Sequence, residues 1–245
     1  MLRNATPSSG RAMKTIVLIP FRYRGLDPLR SANLAYVADY WTGYGCDVQV
    51  TSDGRSGDAP FNRGAAYNRA TENSDADMFI FAESDLIVDF NQIDRAIEMA
   101  AESPGMVVPF SWFMAIGEED SARVRAFEIY PEDALSSPVK GHRRSIGAVN
   151  VMSRRTLDEV GGWDEVTEGA WYDDDIMKIA FDSVGPTRWV EGSAYHLYHL
   201  SGGRGAHLSQ SDRAATAKNR LRLRQYLQAR TPEQIRELVR QGRAR

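Results

Sequence analysis

TIVLIP, at Thr15–Pro20, is an unbroken apolar run rich in β-branched side chains, the pattern of a strand buried on both faces of a parallel sheet. It empties into Phe21-Arg22-Tyr23-Arg24-Gly25, so two arginines stand at the carboxyl end of that strand. In open α/β sheets this edge is where ligands bind, and an arginine fork there suits phosphate. Moving outward, residues 27–44 carry Leu29, Leu34, Val37, Tyr40 and Trp41 at helical spacing. Residues 46–51 (CDVQVT) read as a second strand, and Phe61-Asn62-Arg63-Gly64 opens another helix. MFIFA, at Met78–Ala82, is a third buried strand, followed by a helix at 91–101 and strands at 106–110 and 187–190. This alternation predicts an α/β domain with a mostly parallel, Rossmann-like sheet and helices on both faces. Residues 111–140 break the rhythm with Glu118-Glu119-Asp120, a strand-like 124–130 and a proline-containing loop, and they read as an excursion.

Three places on this frame carry chemistry. Glu83 and Asp85 follow the third strand one residue apart, and alternating side chains point both to the same side. Such a pair can hold a hard divalent cation against a diphosphate, although paired loop carboxylates are also common without a ligand. Residues 145–181 pass from an apolar run through a short helix at 154–160 and a Gly161-Gly162-Trp163 turn to Asp173-Asp174-Asp175. Ile176, Ile179 and Ala180 follow at helical spacing, so the aspartates are expected to form the N-cap and first turn of a helix. Capping and the helix dipole account for one of the three; neighbouring carboxylates repel, which leaves room for function. Third, His196 and His199 stand three apart beside Ser201-Gly202-Gly203-Arg204-Gly205, and imidazole is a good ligand for Mn²⁺ or Zn²⁺.

The chain has 245 residues, 42% of them hydrophobic, enough to bury one large core. Residues 1–14 lack the apolar segment of a signal peptide; residues 1–13 are expected to form a flexible leader, with the folded domain at 14–209. No run approaches the roughly 20 apolar residues of a membrane helix. Cys46 is the only cysteine, which excludes an internal disulfide and makes a cytoplasmic setting the expectation. Residues 211–245 hold ten basic and three acidic side chains, a balance of +7 that leaves −10 in the remainder of a chain whose total is −3. With Leu221, Leu223 and Leu227, and Pro232 opening a last helix, residues 210–245 are expected to form a basic helical extension. Such an extension suits docking on the acidic body or peripheral contact with an anionic membrane; no nucleic-acid partner is expected.

No GxGxxG follows the first strand, and no P-loop, GxSxG elbow or reactive-cysteine context is present. What remains matches the needs of sugar transfer from a nucleotide diphosphate: cationic groups for the leaving diphosphate and a carboxylate to deprotonate an acceptor hydroxyl. Here the chain resembles the GT-A glycosyltransferases of the β-1,4-galactosyltransferase type and, more distantly, the polypeptide N-acetylgalactosaminyltransferases. Ile19-Pro20-Phe21-Arg22-Tyr23-Arg24 is similar to that family's IPFRxR opening, and Phe61-Asn62-Arg63 with Asn68 to its FNRxxxxN. Glu83-Ser84-Asp85 stands at its DVD, residues 147–153 at its GGVSALS, and Asp173-Asp174-Asp175-Ile176 at its EDDDI.

The resemblance implies a GT-A fold and a metal-dependent transferase that takes a hexose from a UDP-sugar (UDP-galactose, UDP-GalNAc, UDP-glucose or similar). Its acceptor is a glycan, protein or small molecule. It implies Asp85, His196 and His199 as ligands of Mn²⁺ (or Mg²⁺), His196 standing where the galactosyltransferases have methionine. It further implies Asp173 as the general base beside Asp174, with inversion at the anomeric carbon. Pro20, Phe21, Arg22, Arg24, Phe61, Arg63, Glu83, Gly147 and Arg204 would hold the donor, Phe61 packing on its base. Three departures are evident: Glu83 for an aspartate, Tyr172 for the glutamate before the aspartates, and Glu168-Gly169-Ala170-Trp171 in place of WGWGG. Two other readings stay open, a nucleotidyltransferase of related fold and a non-catalytic nucleotide-sugar or glycan-binding module.

Overall fold

The computed structural model describes residues 13–243, so the expected leader lies, except for Met13, outside the described residues. Six strands form the main sheet in the order β2 (Asp47–Thr51), β1 (Thr15–Pro20), β3 (Met78–Ala82), β8 (Val149–Ser153), β5 (Val107–Val108), β9 (Arg188–Trp189). All run parallel except β8, which pairs antiparallel with both β3 and β5. A smaller sheet stacks β4 (Leu86–Val88), β10 (Ser193–His196), β6 (Trp112–Ile116) and β7 (Ser136–Lys140) in that order. β1 and β3 are buried almost throughout, as their continuous apolar runs require. An aromatic cluster of Tyr67, Phe81, Trp163 and Phe181 joins helix α2 (Arg63–Glu72) and β3 to helix α6 (Asp173–Asp182).

Helices α1 (Pro28–Thr42), α3 (Phe90–Glu102) and α5 (Arg154–Val160) lie where the periodicity placed them. The stretch read as an excursion is more ordered than expected: it holds β6, helix α4 (Glu118–Arg125) and β7. The strand-like 124–130 is a helix end and a turn, with Phe127 at φ 57°. Charge order decided this, since Glu118, Glu119 and Asp120 occupy the first turn of α4 and Arg123 and Arg125 the last, each matching the helix dipole. A second correction concerns α6, whose N-cap is Tyr172, left-handed at φ 70° and without a side-chain cap; the three aspartates fill the first turn behind it.

Helices α7 (Gln210–Gln228) and α8 (Pro232–Arg243) close the chain. They pack on α6, and Tyr226 and Val239 belong to the same core as the sheets. Buried Asp164 accepts hydrogen bonds from Arg222 Nε at 2.7 Å and the Tyr226 hydroxyl at 2.8 Å. Among the described residues no helix is long and apolar enough to cross a membrane.

Candidate active site

The carboxyl ends of β1 and β3, the start of α2 and the first turn of α6 meet at one rim, as the parallel topology demands. With the β7 end and the 196–212 segment they enclose a cavity of about 600 Å³. Pro20, Phe21, Arg22, Arg24, Phe61, Arg63, Glu83, Asp85, Gly147, Asp173, Asp174, His196 and His199 all line it. Arg204 does not: its guanidinium lies over the Trp171 ring, 5.0 Å from the centroid, and Trp171 is the lining group.

Asp85 is 2% exposed. Its Oδ2 lies 2.9 Å from His199 Nε2, its Oδ1 lies 3.8 Å from His196 Nε2, and the two imidazole nitrogens are 3.0 Å apart. Oδ1 is buried with no hydrogen-bond partner among the described residues, an uncompensated acceptor that folding alone disfavours. One carboxylate oxygen and two imidazole nitrogens within 4.8 Å of one another form a mixed O/N donor set that suits a first-row divalent ion and leaves further positions open. Burial opposes the Asp85 anion, yet His199, His196 and Arg30 outweigh it and hold the carboxyl well below its usual range.

Opposite charges organise the acidic wall. Arg63, its side chain 15% exposed, donates to Glu83, Asp173 and Asp174 at once. One cation cannot neutralise three carboxylates. Burial, opposed by Arg63 and reinforced by Asp85 and the aspartates, pushes Glu83 up to about 7. Asp173 is likewise raised, by burial first and by Asp174, with Arg63 pulling the other way. The Asp174 carboxylate presses on the Gly147 backbone so closely that a Cβ at 147 would collide with it.

The other arginines are also paired. Arg22 binds Asp53 at 2.9 Å and the carbonyls of Gly57 and Ala59, fastening the loop between β2 and α2. Arg24 binds Asp212 of α7 at 2.8 Å and the Asp58 carbonyl, while its buried Nε has no partner among the described residues. Two contributors escaped the sequence reading: Arg30, 3.8 Å from Asp85, and Asp27, which caps α1 and accepts from the Leu200 amide. The only available signal was their position just after the first strand. Asn219 was missed as well; from α7 it holds the loop before α6 through the Glu168 and Trp171 carbonyls.

A parallel sheet interrupted by one antiparallel strand, a smaller second sheet and an acidic rim between them define the GT-A fold of the glycosyltransferases. The structure is similar to the catalytic domain of Drosophila beta1,4-galactosyltransferase 7 in complex with xylobiose, with a TM-score of 0.56 at 13% identity over 90% of this chain and 83% of that one. A mutant of the same enzyme in complex with manganese, UDP-Gal and xylobiose gives 0.53 at 14%, over 82% and 79%. GalNAc-T7 with UDP, GalNAc and Mn²⁺ gives 0.50 at 14%, over 94% of this chain and 55% of that one. At such identities the likeness is one of fold. No family model and no curated protein matches the sequence.

Proposed function

We propose that this chain is a metal-dependent glycosyltransferase that moves a hexose from a UDP-sugar to an acceptor hydroxyl with inversion. One observation carries the reading: Asp85, with its orphaned Oδ1, meets two histidines from more than a hundred residues downstream in the same cavity as Asp173 and Asp174. Asp85, His196 and His199 would hold Mn²⁺ or Mg²⁺, which when bound supplies Lewis-acid neutralisation of the diphosphate. Phe21, Phe61, Arg22, Arg24 and the backbone at Pro20 form the wall for the uridine diphosphate, with Arg24 Nε free to donate. Arg63 keeps the two aspartates close together and offsets part of their charge.

Asp173 takes the proton of the acceptor hydroxyl as its oxygen attacks the anomeric carbon. The bond from that carbon to the diphosphate breaks, and UDP leaves on the opposite face. The raised basicity of Asp173 favours this role, because a base nearer the working pH accepts a proton more readily. Replacing Asp173 with Asn keeps the shape and removes the base. Transfer should be lost, by about 10²–10⁴-fold, while calorimetric UDP affinity stays within about threefold. Undiminished turnover would refute the assignment. Pyrophosphate release from a nucleoside triphosphate would indicate a nucleotidyltransferase, and binding without turnover of any donor a non-catalytic module.

A further inference from the structure

The cavity lining holds five formal cations, Arg22, Arg24, Arg30, Arg63 and Lys140. Four are paired with carboxylates: Arg22 with Asp53, Arg24 with Asp212, Arg30 with Asp85, and Arg63 with Glu83, Asp173 and Asp174. Lys140, exposed at the end of β7, makes no hydrogen bond or ion pair with its side chain among the described residues. Its charge acts on the Asp175 carboxylate of α6, partly offsetting the burial and the Asp174 charge that raise that group.

The loop that follows is built so that this charge stays available. Residues 140–144 read Lys-Gly-His-Arg-Arg. Glu191 takes Arg143 at 2.6 Å, with the His142 ring nitrogen 3.6 Å away, and neither of these two residues lines the cavity. The loop is tied down by the Arg143 amide on the Ser111 carbonyl at 2.8 Å and by Gly141 against the Trp112 ring, where a Cβ would stand 2.7 Å from the indole. His142 at φ 32° and Arg143 at φ 64° adopt left-handed conformations that ordinary side chains avoid. Arg144 is left exposed, also without a side-chain partner among the described residues, next to Ser145, which lines the cavity. The result is one uncommitted cation, Lys140, on the same cavity wall as Asp173 and Asp174, where every other formal cation of the lining is engaged.

We propose that the acceptor carries an anionic group, a phosphate or a carboxylate, which Lys140 binds while its hydroxyl faces Asp173. This rests on the transferase reading above and names its acceptor class. Repulsion from Asp173 and Asp174 is moderated because both are tied to Arg63. An ammonium placed this way is a point charge that accepts either anion, and Val139 beside it offers the acceptor an apolar edge.

The test uses the full chain with Mn²⁺ and whichever of UDP-galactose, UDP-GalNAc, UDP-glucose or UDP-xylose it hydrolyses to UDP. Acceptors are compared in matched pairs: glycerol 3-phosphate and glycerate against glycerol, and glucuronate against glucose. Where a compound is not glycosylated, its affinity for the UDP- and Mn²⁺-loaded protein is measured by calorimetry. An anionic member is expected to exceed its neutral twin by about tenfold or more, the scale of one hydrogen bond to a charged group. Preference for the phosphate alone, or for the carboxylates alone, supports the proposal and identifies the anion. In Lys140→Ala the preference should fall towards unity through KM, and Lys140→Arg should restore most of it. Because each preference is a ratio within one protein, a loss of folded material does not mimic the result. Neutral compounds matching or exceeding the anions, no binding of any anion, or a preference that survives Lys140→Ala would overturn the anionic acceptor while leaving the transferase intact. Failure to hydrolyse or bind any of the four donors would overturn the transferase reading itself.

Discussion

Removing the cation from the Asp164–Arg222 pair tests how the two C-terminal helices relate to the α/β body. Both side chains are almost completely buried, at 1% and 6% exposure. In Arg222→Met the Asp164 carboxylate keeps the Tyr226 hydroxyl and the Val166 amide, each at 2.8 Å, and loses its only ion-pair partner among the described residues. A buried charge left without its counter-ion costs about 3–5 kcal/mol, a fifth or more of the roughly 5–15 kcal/mol that holds a domain folded. At about 2–4 °C per kcal/mol for a chain of this size, Tm should fall by roughly 6–20 °C. Urea unfolding followed by tryptophan fluorescence reads this directly, because Trp41 and Trp163 are buried in the core. Asp164→Asn/Arg222→Met should cost less than the two single variants together, by about 1–3 kcal/mol, since each partner's penalty arises from the other's charge. A cost under about 1 kcal/mol for Arg222→Met, or a melt in which the helices come off before the sheet, would show that residues 210–243 are a separable extension and not part of the core.

Four further outcomes follow from the cavity. Asp85→Asn removes the charge at near-constant shape and should lower Mn²⁺-dependent UDP affinity by about tenfold or more; unchanged calorimetric affinity would rule Asp85 out as a ligand. Gly147→Ala drives a Cβ into the Asp174 carboxylate, so transfer should drop well before urea stability does; full activity would mean Asp174 is dispensable or easily displaced. Asp173 has a raised pKa, so its base form is lost as pH falls. The acidic limb of the kcat/KM profile should therefore sit above the ordinary carboxylate range, and Asp173→Asn should abolish that limb. Asp212 has a lowered pKa because Arg24 and Ser209 overcome the burial that opposes its charge, so its stabilisation is present at neutral pH and fades as pH falls through the folded value. Asp212→Asn should consequently lose about 1 kcal/mol at pH 7 and converge with the parent in acid, as measured by urea titration at each pH.

The sequence by itself determined the frame. Continuous apolar runs at Thr15–Pro20 and Met78–Ala82, the first rich in β-branched residues, carry the pattern of strands buried on both faces, and each ends in the residues it delivers to the rim. For that reason Arg22, Glu83 and Asp85 could be read as one edge before any contact was known. The aspartates at 173–175 announced a helix start in the same local way, although which residue caps it depended on the backbone turn at Tyr172. Tertiary structure decided the pairing of charges. Arg63 binds carboxylates 20, 110 and 111 positions away and Arg24 reaches across 188, so which cations are engaged and which stay free is set by how the loops and α7 close over the sheet. Lys140 shows the same limit from the other side. Nothing in residues 136–140 marks them as more than a loop with a proline, because β7 exists only by pairing with β6, which β10 in turn carries to His196. Periodicity and turn chemistry act over a few residues and are written in the chain, whereas electrostatic partnership acts through space and is written only in the fold.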